Sequence, residues 1–181
     1  MPKQNITFIT GNQNKADYLA KYLGFPVEHV KLGLDELQSL DLKEIVEHKV
    51  KQAYSKINKP IIVEDVSLEF VALGRLPGPF IKFFLEEMAM ETICGLLDGK
   101  TRVAIARCVF GYYDGQELKL FEGRLDGEIP NTPAGEGGYG FDPIFIPAGY
   151  NVTRAELGEE DDRKTYLQMK PFEELKKFLD S

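Results

Sequence analysis

The stretch Pro60-Ile61-Ile62-Val63-Glu64-Asp65-Val66 decides how the rest of the chain is read. Ile61, Ile62 and Val63 form an unbroken β-branched run. Such a run marks a strand covered on both faces, not one alternating between core and water. Glu64 and Asp65 follow at once. In open α/β sheets the chemistry lies beyond the carboxyl ends of buried strands, and the two carboxylates are expected there. The same pattern also suits a strand that runs out into an acidic loop.

Upstream, the run from Ile6 to Thr10 predicts a first strand, broken at Gly11-Asn12. A helix fits Asn14 to Leu23, because Ala16, Leu19, Ala20 and Leu23 share one helical face. Gly24 is placed to stop it. The junction Thr10-Gly-Asn-Gln-Asn-Lys15 is therefore strand, tight turn and helix start. Exposed N–H groups and the helix dipole make such a junction an anion site, and an ordinary asparagine-capped turn is the plainer reading. Val27 to Leu32 suits a second strand, and Leu34 to Gln38 a strand end or loop. Asp41 is a good N-cap, with Glu44 completing a capping box, for a helix from Leu42 to about Ile57. Lys49 falls at the edge of its apolar stripe, where it either snorkels to water or points inward at an anion.

Downstream, Leu73-Gly-Arg-Leu-Pro-Gly-Pro79 reads as a shaped loop delivering a helix at Phe80 to Leu85. Lys82 near that helix start opposes the dipole, which suggests either an anionic partner or simple solvation. A further helical piece spans about Met90 to Leu97. Thr101 to Tyr113 and Glu117 to Leu125 form a hairpin about Asp114-Gly115, with Asp126-Gly127 ending the second arm. Pro133 to Gly140 is rich in glycine, and Phe141 to Ile146 predicts a short strand. This segment is either a flexible surface loop or a place where backbone approaches a ligand and Tyr139 and Phe141 stack on a base. Asp142 lies among bulky apolar residues, where an unpaired carboxylate is costly. Glu159 to Asp162 reads as a solvated acidic face, and Phe172 to Leu179 as a final amphipathic helix behind Pro171.

With 181 residues the chain is expected to form one domain, residues 1–181, with a sizeable core. A net charge of −7 argues against broad nucleic-acid binding but leaves room for a small anion held by local lysines and a divalent cation. No apolar run approaches the ~18 residues of a membrane span. The start, Met-Pro-Lys-Gln-Asn, has no long apolar core of a signal peptide. Cys94 and Cys108 fit no metal spacing, so reduced thiols in a cytoplasmic protein are expected. His29 and His48 are the only histidines, which disfavours a triad or a histidine-rich metal site.

Several stretches together resemble the inosine triphosphate pyrophosphatases. They are Thr10 to Lys15, Leu34-Asp-Glu-Leu-Gln38, Val63-Glu-Asp-Val66, Leu73 to Pro79 with Lys82, and Gly140-Phe-Asp-Pro-Ile-Phe145. The resemblance implies an α/β fold: a long mixed β-sheet flanked by helices, in two lobes with a central cleft. It also implies a homodimer that hydrolyses a nucleoside triphosphate, a non-standard purine such as ITP, dITP or XTP, to monophosphate and pyrophosphate with Mg²⁺. Glu36 and Asp65 match the metal-associated acids, and Asp65 also the group that activates water. Thr10, Asn12, Lys15, Lys49 and Lys82 match triphosphate-handling positions; Glu64 lies beside the metal-associated acids, and with Gly11 and Val66 it falls at substrate-binding positions of the family. Tyr139, Gly140, Phe141 and Asp142 match part of the nucleoside pocket.

Two departures stand out. Val66 replaces a hydroxyl residue. Tyr166-Leu167-Gln168 stands where the family carries the Ser-His-Arg that reads a 6-oxo purine edge, and Asp162-Arg163 replaces its Lys-Asn. Leucine makes no hydrogen bond, and an amide replaces a cation. Arg163 and Lys164 are the nearest cations to compensate. The alternatives are therefore a same-fold pyrophosphatase with altered base specificity and a catalytically weak nucleotide-binding protein.

Overall fold

The computed structural model describes residues 6–181, so the signal-peptide reading of the first five lies outside it. Strand β1 (Thr7–Ile9) lies between β2 (Glu28–Val30) and β3 (Ile61–Phe70) and runs parallel to both. Helix α1 (Gln13–Leu23) joins β1 to β2, and α2 (Leu42–Ile57) carries the chain from β2 back to β3. The two crossovers step in opposite directions across β1. Right-handed connections of that kind place their helices on opposite faces of the sheet. Side chains agree: Ile61 and Val63 of β3 join Val46, Val50 and Ala53 of α2 in one buried cluster, and Ile62 between them turns the other way.

Beyond these come β4 (Pro77–Gly78), α3 (Ile81–Glu87), α4 (Met90–Gly95) and the hairpin of β5 (Val103–Tyr113) and β6 (Leu118–Glu128). Strand β7 (Ile146–Pro147) and helices α5 (Glu159–Met169) and α6 (Phe172–Asp180) complete the chain. The sheet has seven strands in the order β2-β1-β3-β5-β6-β7, with β4 on β3. Parallel pairs at β1 and antiparallel pairs at β4 and β7 make it mixed, as expected. The chain divides into two compact units. One holds the chain up to Asp65, Cys108–Glu122 and Pro171–Ser181; the other holds Val66–Arg107 and Gly123–Lys170. Strands β3, β5 and β6 each run from one unit into the other. Cys94 and Cys108 are buried, and neither forms a disulfide.

Four local expectations are corrected. Strand β3 does not end at Val63 but continues through both carboxylates to Phe70. What ends is its neighbour: Ile9 of β1 pairs with Val63, and β1 then leaves for the Thr10 turn. Glu64 and Asp65 thus lie beyond the end of the parallel ladder without lying beyond their own strand. The Pro77-Gly78 loop contains a two-residue strand, paired with Leu68 and Glu69. Strand β6 passes Asp126-Gly127 and reaches Glu128, because β7 pairs there and Gly127 leaves room for it. A Cβ on Gly127 would sit 2.2 Å from the Ile146 carbonyl oxygen. Finally, Asp142–Ile144 is a 3-10 turn, and only Ile146–Pro147 of the Phe141 to Ile146 run is strand.

Helix ends follow their sequence signals. Asn12 caps α1 by accepting from the Lys15 N–H, and Gly24 closes it with φ +80. Asp41 caps α2 through the Lys43 and Glu44 N–H groups. The expected box is closed indirectly: the Asp41 N–H donates to Ser39 Oγ, which donates to Glu44.

Candidate active site

Alternation along β3 splits its two carboxylates between the sheet faces. Asp65 shares the α2 face with Ile61 and Val63, and Lys49 of α2 reaches it at 2.6 Å. Glu64 shares the α1 face with Ile62, and Lys15 of α1 reaches it at 3.1 Å. The Glu64 side chain is only 4% exposed. Lys49 also meets Glu36, at 3.2 Å, from the segment between β2 and α2. One ammonium thus holds two carboxylates that are 29 residues apart in sequence (65 − 36).

Of the two readings of Lys49, the structure shows the inward one: the half-buried ammonium points at the carboxylates of Asp65 and Glu36. Burial works against its proton, but attraction and hydrogen bonds from Asp65, then Glu36, outweigh it and raise its pKa above 10.5. A lysine pKa raised by folding gives stability that is complete below the unfolded value and lost as pH climbs through the folded one. We expect Lys49→Met to be less stable than the wild type at pH 8. The gap in denaturant midpoint should narrow above pH 10.5; a gap independent of pH would show that charge is not its source.

In the Thr10 turn, Thr10 Oγ1 accepts the Asn12 N–H at 3.0 Å, and Asn12 takes the Lys15 N–H. These N–H groups are engaged by side chains, which is the capped-turn arrangement. Gly11 is exposed beside them. Lys82 stands on α3 with its side chain 76% exposed, 3.7 Å from Glu86 one turn on. Val66 follows Asp65 in β3 and is half-buried.

In the second unit, Tyr139 is 48% exposed and presents its ring outward. Phe141 is buried and packs edge-on against Phe145, which removes it as a stacking surface and makes it core. Asp142 is buried as well: it accepts the Tyr139 N–H at 2.9 Å and pairs with Arg154 at 3.1 Å. The glycine-rich loop is packed against its own chain. A Cβ on Gly138, whose φ is +71, would fall 2.2 Å from Asp142 Oδ2. Gly140, at φ +62, has no such neighbour within 4 Å.

Arg154 is not among the residues that the sequence points to. Its partner lies twelve residues earlier, across a turn, so no local periodicity signals the pair. The two cations expected to compensate for the altered base-reading segment lie on α5. Arg163 is exposed on α5, and the exposed Lys164 pairs with Glu160 and Asp161. The acidic run is partly tied down, with Asp161 accepting from Tyr150 and Asp162 from Arg154.

Residues 6–178 match the family model described as Ham1 family. The chain belongs to the Ham1 family. An inosine triphosphate pyrophosphatase 2 of Trypanosoma cruzi (strain CL Brener) is 42% identical over 176 residues, 94% of this chain and 90% of that protein. A dITP/XTP pyrophosphatase of Thermococcus kodakarensis is 36% identical over 163 residues, 88% of each chain. The solved structure of the Staphylococcus aureus Ham1 protein superposes with a TM-score of 0.83 at 26% identity, over 97% of this chain and 98% of that one. A Coxiella burnetii HAM1 protein shares the fold at a TM-score of 0.85 and 21% identity, over 97% and 98%. The expected recognition and fold class are thus met, and the chain falls in a family of hydrolases. Among the described residues, no helix is long and apolar enough to cross a membrane.

Proposed function

We propose that this chain, as one catalytic domain, hydrolyses a non-standard purine nucleoside triphosphate such as ITP, dITP or XTP to the monophosphate and pyrophosphate. The observation that carries the reading is the convergence of Asp65 and Glu36 on Lys49 at the end of the β1–β3 ladder. The names of the Trypanosoma and Thermococcus relatives support it.

The donor set fits Mg²⁺. Two carboxylates already face one cationic point, and Mg²⁺ takes one or two carboxylates and leaves its other places to water and phosphate. Among the described residues, no group of three acids, histidines or cysteines is placed to hold a metal ion by itself. Glu36 and Asp65 would hold the ion, which neutralises phosphate charge when bound. Asp65 orients a water and takes its proton at the carboxylate. The water oxygen bonds the α-phosphorus, the bond to the α,β-bridging oxygen breaks, and pyrophosphate departs. Lys49 and Lys15 exchange carboxylate partners for phosphate oxygens. Thr10, Gly11 and Asn12 border the triphosphate. Tyr139 gives the base a ring face, while Gly140 lets the loop approach it. A cytoplasmic homodimer completes the reading.

Altered base specificity is a second reading, favoured by Leu167 and the exposed Gln168 on α5. A panel of ITP, dITP, XTP, GTP, ATP and pyrimidine triphosphates, assayed for pyrophosphate with Mg²⁺ and with EDTA, separates the two. Highest kcat/KM for ITP, dITP or XTP supports the first, and a best substrate without the 6-oxo purine edge supports the second. No release from any of them by folded protein, with nucleotide still bound, leaves only a binding protein.

A further inference from the structure

The Arg154 side chain is 3% exposed, and its N–H groups are spent inside the protein. Nη1 donates to Asp142 at 3.1 Å, Nη2 to Asp162 at 2.7 Å and Nε to Thr165 Oγ1 at 3.3 Å. Its backbone N–H donates to the Phe145 carbonyl at 2.9 Å. The residues on either side make the same junction: Thr153 Oγ1 donates to the Ala134 carbonyl, and the Gly137 N–H donates to that of Ala155. Three consecutive residues therefore stitch the 134–145 segment to the turn before α5. Below the guanidinium lies the ring of Tyr166, 5.7 Å from Cζ to its centroid, and the buried Lys170 ammonium stands at the same distance from that ring.

A guanidinium this deeply buried is costly, and an apolar side chain would fill the space at less cost. What the apolar side chain would not do is fix Asp142. Asp142 in turn accepts the N–H of Tyr139, the exposed aromatic of the loop. Resting on the pyrophosphatase reading, we infer that Arg154 is the positioning residue for base selectivity: through Asp142 it holds Tyr139 and the glycine-rich loop in one conformation toward the nucleoside. Tyr166, instead of facing the base, supports the guanidinium from beneath. Arg154 itself touches no substrate, since its three bonded nitrogens face its own chain.

The test compares wild type with Arg154→Met and Arg154→Lys. In the free protein, hydrogen exchange of peptides covering 134–142 should speed up at least tenfold in Arg154→Met, with peptides covering α2 unchanged. With turnover, KM for the best triphosphate should rise at least tenfold while kcat changes less than KM, and the ITP-to-ATP ratio of kcat/KM should shift at least fivefold. Arg154→Lys should recover part of both. A general loss of folding would accelerate α2 as well. If Arg154→Met does not fold, Arg154→Lys carries the test, with the same directions and smaller changes. Loop exchange and base ratio both unchanged in a folded variant would overturn the inference. If the wild type releases no pyrophosphate, the reaction reading fails, and the loop exchange together with the affinity ratio for ITP over ATP still decides the role of Arg154.

Discussion

Asp65→Asn is expected to lower kcat for pyrophosphate release by about 1,000-fold, within the usual span for removing a general base. The change keeps the shape of the side chain and an oxygen for Lys49 to donate to. It removes the charge and the capacity to take a proton. Asp65 is half-buried in the middle of a ten-residue strand whose core is formed by its neighbours, so the fold should survive. A melting temperature within a few degrees of wild type, with turnover lost, separates chemistry from unfolding. Glu36→Gln should instead weaken the response to Mg²⁺ titration more than it lowers the saturated rate, because Glu36 is 70% exposed and joins the site through Lys49. An Asp65→Asn variant within tenfold of wild type would move the base to another residue.

The parts of this fold that were legible in the sequence are those set by local chemistry. The unbroken β-branched run, the Asp41 cap, the Gly24 stop and the Asp114-Gly115 turn each act within a few residues, and each is where it was read. The errors arise where a partner distant in sequence decides. Strand β3 outlasts its parallel neighbour because β4 supplies further pairing, and β6 outlasts Gly127 because β7 does. The same division runs through the site. That Glu64 and Asp65 turn to opposite faces follows from strand alternation once the strand is known to continue. That Lys49 joins Asp65 to Glu36, and that Arg154 anchors Asp142, are tertiary facts with no local signature. The glycine-rich stretch from Pro133 to Gly140 suits either a flexible loop or ligand-facing backbone, but what Gly138 makes room for is Asp142.

Asp142→Ala is the largest expected loss of stability, about 3–5 kcal/mol, the usual cost of breaking a buried ion pair by removing one partner. For a chain of this size that corresponds to a fall of about 6–20 °C in Tm. The loss has two parts: Arg154 keeps only Asp162 as a carboxylate partner, and the Tyr139 N–H loses its acceptor. Asp142→Asn separates them, because the amide oxygen still accepts while the charge is gone. Burial pushes the Asp142 carboxyl upward, against the pull of Arg154 and the Tyr139 N–H, and its pKa stands above the ordinary 3.8. The linkage sign follows: a carboxyl raised by folding contributes stability that is full below 3.8 and lost as pH rises through the folded value. The stability of wild type relative to Asp142→Asn should therefore increase as pH falls through that window, in paired denaturation curves between pH 7 and pH 4. Asp142→Asn should also cost less than Asp142→Ala at neutral pH, because the site accepts a neutral carbonyl. A wild-type advantage that shrinks with acid would mean that the ionised carboxylate is the form the fold prefers. Attraction to Arg154 would then outweigh burial, and the pair would hold the loop by charge rather than by hydrogen-bond shape.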